Sequence, residues 1–524
     1  MAYALTAERG TFPLDLSDPS VLLANVRMLR DAVHENATAT MSRWRPFVRR
    51  RAFVASAINL AHYLALRHHD LRHLQSELVP WGLSSLGRSE SRVLANLDAV
   101  LATLASVCGK DPSQWPRPPR RAFARGERRL RRNADELFGA APEPRHIRIM
   151  VTLPSEAATD EALVGELVRR GMDCARINCA HDDQTAWDLM LRNVRSAAAA
   201  AKRQCAVLMD LGGPKLRIVD VRTPQPKHRV VGGDRILLVG REFADLGRFP
   251  VQVRSSVASL PDTLKVGAAV WIDDGRLGTE VHAREPEGVV LVARYAQPKG
   301  LRLAADKGMN VPGTTLGICP LTSKDLADLA FIARRADIVG YSFVQEAADI
   351  ALLQEELRVR LTAGTPLPPM IAKIETERAV ANLPAMILQA AGQQPFGVMI
   401  ARGDLAVEIG YERLAEIQEE MLWLCEAAHV PVIWATQVLE RLVKKGMPSR
   451  AEMTDAAMSQ RADCVMLNKG PFVADAVTVL DHVLSRMQAH QQKKSSLLRA
   501  LHVWDSVGEP VSVGRGNGIG LARR

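Results

Sequence analysis

From residue 146 onward, eight short apolar runs alternate with amphipathic segments, and no other feature of the chain restricts its fold as much. The runs are His146–Leu153, Cys174–Cys179, Cys205–Leu211, Ala336–Phe343, Met370–Glu375, Phe396–Gly403, Pro431–Thr436 and Ala462–Asn468. Each is followed, sooner or later, by helical periodicity, as in Thr159–Gly171, Ser323–Arg335, Glu412–His429 and Ala474–Ala489. Eight strand–helix units predict an α/β fold, a parallel (β/α)8 barrel of the TIM type. A doubly wound open sheet is the alternative, and the count favours closure.

One connection is too long for a simple barrel loop. Ile218 to Thr322 separates the third strand from its helix, and within it lie Val230–Val239, Ala269–Asp273, Glu280–Ala283 and Val289–Ala293, split by Gly and Pro. This predicts a small β-barrel lid domain over 219–303, inserted at the catalytic face of a barrel made from 146–218 and 304–490. Such a lid can close on a ligand and exclude water. Residues 1–140 read as an α-helical extension. Phe53–Leu74 and Val93–Val107 carry apolar residues at helical spacing, and Pro116, Pro118 and Pro119 then break the pattern. His62, His68, His69 and His73 cluster there, and His69 and His73 stand at i, i+4, a spacing that can chelate, but no further ligands accompany them, which favours a solvated or partner-facing helix over a metal site. Residues 491–524 read as a short tail.

A chain of 524 residues suits two to four domains, and 47% apolar with 24% charged residues describes a globular protein with a sizeable core. Much of the net charge of +10 sits in Arg117–Arg132, read as a solvated basic linker, and a nucleic-acid partner is not expected. Seven scattered cysteines without a C-x-x-C pair argue against a disulfide framework and a structural zinc site. With no evident signal peptide and no apolar stretch of about 18 residues, a cytoplasmic protein without membrane contact is expected.

In such barrels the chemistry gathers at the C-terminal ends of the strands. Read there in order, the chain offers Thr152; Arg176, Asn178 and His181; Asp210, Lys215 and Arg217; Ser342; Lys373 and Glu375; Ala401-Arg402-Gly403-Asp404; Thr436; and Asn468-Lys469-Gly470. Glu375 and Asp404, on adjacent strands, can bind one divalent ion, since Mg2+ needs only one or two carboxylates. Lys373 lies two residues from Glu375, hence on the same face, where an ammonium can stabilise a transferring phosphoryl group. Arg176 and Arg217 add cations suited to phosphate. Ala401–Asp404 would open a helix whose free N–H groups suit an anion.

The segments MDCARINCAHD, VLMDLGGPKLR, WIDDGRLGTEV, DKGMNVPG, LTSKDLADL, IAKIETERAV, VMIARGDLAVEI, VIWATQVLE, PSRAEMTDAA and ADCVMLN follow one another as blocks of the pyruvate kinase family do, and residues 146 to about 490 resemble that family. The resemblance implies phosphoryl transfer from phosphoenolpyruvate to ADP, giving pyruvate and ATP, with Mg2+ or Mn2+ as cofactor. Carried over by position, Glu375 and Asp404 match the metal ligands, Lys373 the lysine that stabilises the phosphoryl group, and Arg176 the arginine that contacts it. Ala401, Arg402 and Gly403 match the helix start that holds phosphoenolpyruvate, next to Asp404. Thr436 matches the threonine near the carbon that is protonated. Arg217, His181, Asp274 and Lys307 match the nucleotide side. A homo-oligomer through the barrel and a protein partner for the extension are compatible with this reading.

The chain also departs from the family. Asn178 and Asp210 match two potassium ligands, but Ala180 replaces a serine, and Lys215 replaces the glutamate of potassium-dependent members. Members with this lysine resemble potassium-independent enzymes, so no K+ requirement is expected, with Lys215 substituting for the ion. The first block, Thr152-Leu153-Pro154-Ser155, lacks the family's glycine. The eighth strand ends in Asn468-Lys469-Gly470-Pro471 instead of Ser-Gly-Glu-Thr, near the family's site of proton delivery. A counterpart of the C-terminal allosteric domain is not expected after about Gln491. Two further readings follow: a catalytically impaired phosphoenolpyruvate-binding or regulatory protein, and a related barrel enzyme acting on another enol phosphate.

Overall fold

The structure, a computed structural model, describes residues 17–496 apart from 84, 144, 245, 246 and 494. The start of the predicted extension and most of the 491–524 tail lie outside the described residues. Eight parallel strands close into a barrel: β1 (Arg148–Thr152), β2 (Cys174–Asn178), β3 (Ala206–Asp210), β4 (Ile338–Tyr341), β5 (Met370–Ile374), β6 (Phe396–Ala401), β7 (Val432–Ala435) and β8 (Cys464–Leu467). Each lies inside one of the eight predicted runs. β1 pairs with both β2 and β8, which closes the ring.

Alternation along a strand sends every second side chain inward. Near the strand starts this inward layer is apolar, with Cys174, Leu208, Ile338, Ile371, Ile433 and Cys464 in one buried cluster. Two residues further along the same rows it turns polar, with Arg176, Asp210 and Lys373 all buried. An apolar floor therefore lies beneath a charged mouth.

The insertion is a seven-stranded sheet running from Ile218–Arg222 to Met309–Asn310. Its two edges meet, because Ile218 N donates to Lys307 O at 2.9 Å and Met309 N to Leu216 O at 2.8 Å. The sheet thereby curls around a core of its own that includes Ile236, Val253 and Leu291. Three of its strands, Ile218–Arg222, Gln252–Ser255 and Met309–Asn310, are short and were not anticipated.

The extension departs furthest from expectation. It comprises α1 (Pro19–Trp44), α2 (Val54–Arg67), α3 (Arg72–Leu78), α4 (Val93–Val107) and α5 (Arg120–Phe138). The helix expected over Phe53–Leu74 is interrupted between Arg67 and Arg72, so His69 and His73 do not share a helix face. His62 is not solvated: it is 5% exposed, its Nδ1 lies 2.8 Å from Ile58 O, and its Nε2 lies 3.3 Å from His34 Nδ1.

Nor is the basic stretch a linker. In α5 the residues Gly126, Leu130, Ala134, Leu137 and Phe138 are buried at helical spacing while most of the arginines face outward. Ala134, Leu137 and Phe138 pack into the apolar floor of the barrel. Polar contacts fix the docking. Asn133 Nδ2 donates to His429 O at 2.7 Å, and Asn59 Nδ2 donates to Ala427 O at 2.8 Å. The His429 ring bridges Ser56 Oγ at 2.9 Å and Ser91 O at 3.1 Å. A Cβ on Gly126 would lie 2.1 Å from Ser91 O, so only glycine allows this approach. No helix among the described residues is long and apolar enough to cross a membrane.

Candidate functional site

Lys373, inward on β5, is the hub of the mouth. Its Nζ donates to Ser342 Oγ at 2.7 Å and lies 3.2 Å from Glu375 Oε1 and 3.3 Å from Asp210 Oδ2. Burial alone would depress the lysine pKa, but Asp210 and Glu375 outweigh it and hold the ammonium above its ordinary range. Asp210 is wholly buried, yet Lys373 and Arg176 keep it below the usual carboxylate range. Arg176 reaches Asp210 Oδ2 through Nε and Nη2, at 2.9 and 2.5 Å, and Thr152 Oγ1 through Nη1 at 3.0 Å. Gly340 makes room for this cluster, since a Cβ there would lie 2.6 Å from Asp210 Oδ1.

Glu375 is buried, and its Oε2 accepts from Phe343 N at 2.6 Å. Burial and the nearby Asp404 push its carboxyl upward, against the pull of Lys373. Two carboxylates that repel each other beside an open mouth suit a divalent cation. Among the described residues no set of three His, Cys, Asp or Glu side chains could hold a metal, so Glu375 and Asp404 would leave the remaining positions to water and substrate oxygens. Asp404 Oδ1 currently accepts from Lys215 Nζ at 2.8 Å. Lys215, expected to substitute for the ion beside Asn178 and Asp210, thus pairs here with Asp404. Asn178 Oδ1 instead accepts from Ala180 N at 3.2 Å.

Ala401 and Arg402 lead from β6 into the helix Arg402–Ile409. The N–H of Gly403 is not free but donates to Thr436 Oγ1 at 2.8 Å. Thr436 holds a left-handed backbone, with φ of 63°. The Arg402 guanidinium turns away from the mouth, pairs with Asp455, donates to Ala435 O and Thr436 O, and lies over the Trp434 ring. What Arg402 can offer a ligand is therefore its backbone.

The nucleotide-side candidates divide into two groups. His181 follows β2; partial burial first, then Lys469, Arg217 and Arg176, hold it below the ordinary histidine value despite Asp182. Arg217 forms a bridge with Gly308 at the lid hinge and donates to Asp306 O at 2.9 Å. On the lid side, Lys307 Nζ donates to Asp273 Oδ1 at 2.8 Å. Asp274 Oδ1 lies beside Gly308 at the lid hinge, 3.9 Å from where a Cβ on that glycine would be. Ser342, which positions Lys373, and Asp455, which clamps Arg402, were missed as site residues. Ser342 was visible only as a strand-end hydroxyl, and Asp455 only as part of the block PSRAEMTDAA, with no role attached to it.

These features define a lidded (β/α)8 barrel with cations and carboxylates at its C-terminal rim. The barrel-domain profile of pyruvate kinase matches residues 144–475, and the chain belongs to the pyruvate kinase family. It is 32% identical over 381 residues to the pyruvate kinase of Geobacillus stearothermophilus, covering 70% of this chain and 62% of that protein. It is 30% identical over 380 residues to the pyruvate kinase of Dictyostelium discoideum, covering 70% and 71%. A crystal structure of a pyruvate kinase from Cryptosporidium parvum superposes with a TM-score of 0.58 at 26% identity, over 71% of this chain and 77% of that one. The matched region thus spans 62% of the Geobacillus protein and 58% of a Synechocystis relative.

Proposed function

We propose that the mouth transfers a phosphoryl group from phosphoenolpyruvate to ADP, giving pyruvate and ATP. The observation that carries this reading is the Lys373 ammonium, buried yet held charged between Asp210 and Glu375. Glu375 and Asp404 would hold Mg2+ or Mn2+, which when bound neutralises charge on phosphoryl oxygens. Lys373 and Arg176 supply preorganised positive charge to the transferring group. The helix start at Ala401, Arg402 and Gly403 would hold phosphoenolpyruvate, with Thr436 close to the carbon that is protonated. Lys215 holds only Oδ1 of Asp404, so Oδ2 remains to serve as a ligand. Arg217, His181, Asp274 and Lys307 would receive the nucleotide under the lid.

Potassium independence is part of the proposal. It is supported by the pairing of Asp210 with Arg176 and Lys373, and by Ala180, which offers no hydroxyl. A second reading, an impaired phosphoenolpyruvate-binding protein, is favoured by the Lys215–Asp404 contact and by the Asn468–Pro471 loop. A coupled assay of pyruvate formation with Mg2+, with and without K+, distinguishes the readings. Lys373→Ala should lower kcat by roughly 100- to 1000-fold, as expected for one lost charge-stabilising group. Wild type that binds phosphoenolpyruvate calorimetrically but makes no pyruvate would establish the second reading. Strong activation by K+ would end the potassium-independent part.

A further inference from the structure

The helix α5 carries its arginines in register. Arg121, Arg125, Arg128 and Arg132 are exposed and stand at i, i+4, i+7 and i+11, one line along the helix opposite the buried Gly126, Leu130 and Leu137. At about 1.5 Å of rise per residue the line runs for roughly 16 Å. None of the four has an ion-pair partner among the described residues. The carboxylates of α5 lie off the line or beyond its end, and each is engaged: Glu127 with Gln492, Asp135 with Arg148, and Glu136 with Arg50.

This arrangement works against the helix that carries it. Like charges at i, i+4 repel. The first turn holds no acidic residue, and Arg120 and Arg121 meet the positive end of the helix dipole there. Beside the line, partial burial and then Arg132 and Arg125 hold Arg129 below the usual arginine value. A helix face that is merely wetted mixes its signs, whereas a row of one sign calls for an anionic partner.

The surroundings choose among polyanions. The apolar face of α5 is spent on the barrel floor, so nothing is left to enter a bilayer. A straight line of fixed charges matches a rigid polyanion with regular spacing, which a flexible acidic peptide is not. Every basic residue from 117 to 132 is arginine, whose planar fork takes phosphate oxygens in pairs. Single strands need open aromatic faces to stack on. Here the Phe123 ring is covered by Arg92 at 5.8 Å and the Trp115 ring by Arg27 at 5.4 Å. Half sunk in the protein, α5 can lie on a duplex but cannot enter a deep groove. The minor groove of an RNA duplex is wide and shallow, with phosphates within reach on both sides, whereas the major groove of DNA is about 8.5 Å deep.

We propose that the outward face of α5 docks double-stranded RNA through its phosphates, without regard to base sequence. This reverses the expectation of no nucleic-acid partner, which rested on reading the stretch as a linker: a linker scatters its charges, and a helix aligns them. The surface lies at the end of the barrel away from the mouth and does not depend on the reaction there.

Fluorescence anisotropy of a labelled RNA duplex of about 20 base pairs, titrated with the full chain at several salt concentrations, tests this. The logarithm of the binding constant should fall linearly with that of the salt concentration, with a slope of about −3 to −4 for roughly four phosphates neutralised. Arg121→Gln, Arg125→Gln, Arg128→Gln and Arg132→Gln together should weaken binding at least tenfold and flatten the slope, with no fall in melting temperature. Arg121→Gln with Arg125→Gln alone should reduce the slope by about two, which keeps the test open should the fourfold variant fold poorly. Two RNA duplexes of unrelated sequence should bind alike. No binding by the wild type at about 50 mM salt, or undiminished binding by both variants, overturns the proposal. So does equal or tighter binding of a DNA duplex, single-stranded RNA, polyglutamate or phosphatidylserine vesicles, or a preference above tenfold between RNA sequences.

Discussion

Ser342 shows how much one neutral hydroxyl can decide. It accepts from the Lys373 ammonium at 2.7 Å and donates to Leu211 O at 2.7 Å, so it fixes where the positive charge sits. Ser342→Ala should lower kcat about tenfold with little change in KM, equivalent to about 1.4 kcal/mol of a charge-assisted hydrogen bond; steady-state kinetics on both parameters checks this. His429 makes a stability prediction. Burial pushes its pKa from 6.5 down to about 4. Because the folded value is depressed, the contribution is complete above about 6.5 and is lost as pH falls from there towards 4. Across that window the loss is on the order of 3 kcal/mol. Urea unfolding of wild type and His429→Gln, compared at neutral pH and near the lower limit, should show the variant losing less stability on acidification.

At the scale of elements, what could be read in the sequence followed from periodicity. The barrel strands are short apolar runs with helices between them, and all eight were legible. The catalytic candidates were legible too, because charges at the ends of apolar runs stand out. α5 was not: its buried stripe of Gly126, Leu130, Ala134, Leu137 and Phe138 is diluted by arginines that dominate the composition. The place of Lys215 could not be read either, since a long side chain choosing among several carboxylates leaves no trace in spacing. Helix propensity predicts a gain of up to about 1 kcal/mol for Gly126→Ala. The 2.1 Å approach to Ser91 O reverses the sign, because that atom is backbone and cannot swing aside. Phe138→Ala should cost about 3–5 kcal/mol, as for other large buried aromatics. Thermal denaturation of each variant decides both, and a melting temperature at or above wild type for Gly126→Ala would refute the close contact.

For the whole molecule, the extension and the barrel share one interior. Leu137 and Phe138 rest on side chains contributed by strands from Met150 to Met466. Their burial cannot be complete until nearly the entire barrel sequence has been synthesised. Ribosomal synthesis delivers the extension first, so its apolar face waits, uncovered, while more than three hundred residues emerge. The nascent chain therefore carries a sticky surface for most of its elongation, and its yield in a cell should depend on chaperone capacity more than its finished stability suggests.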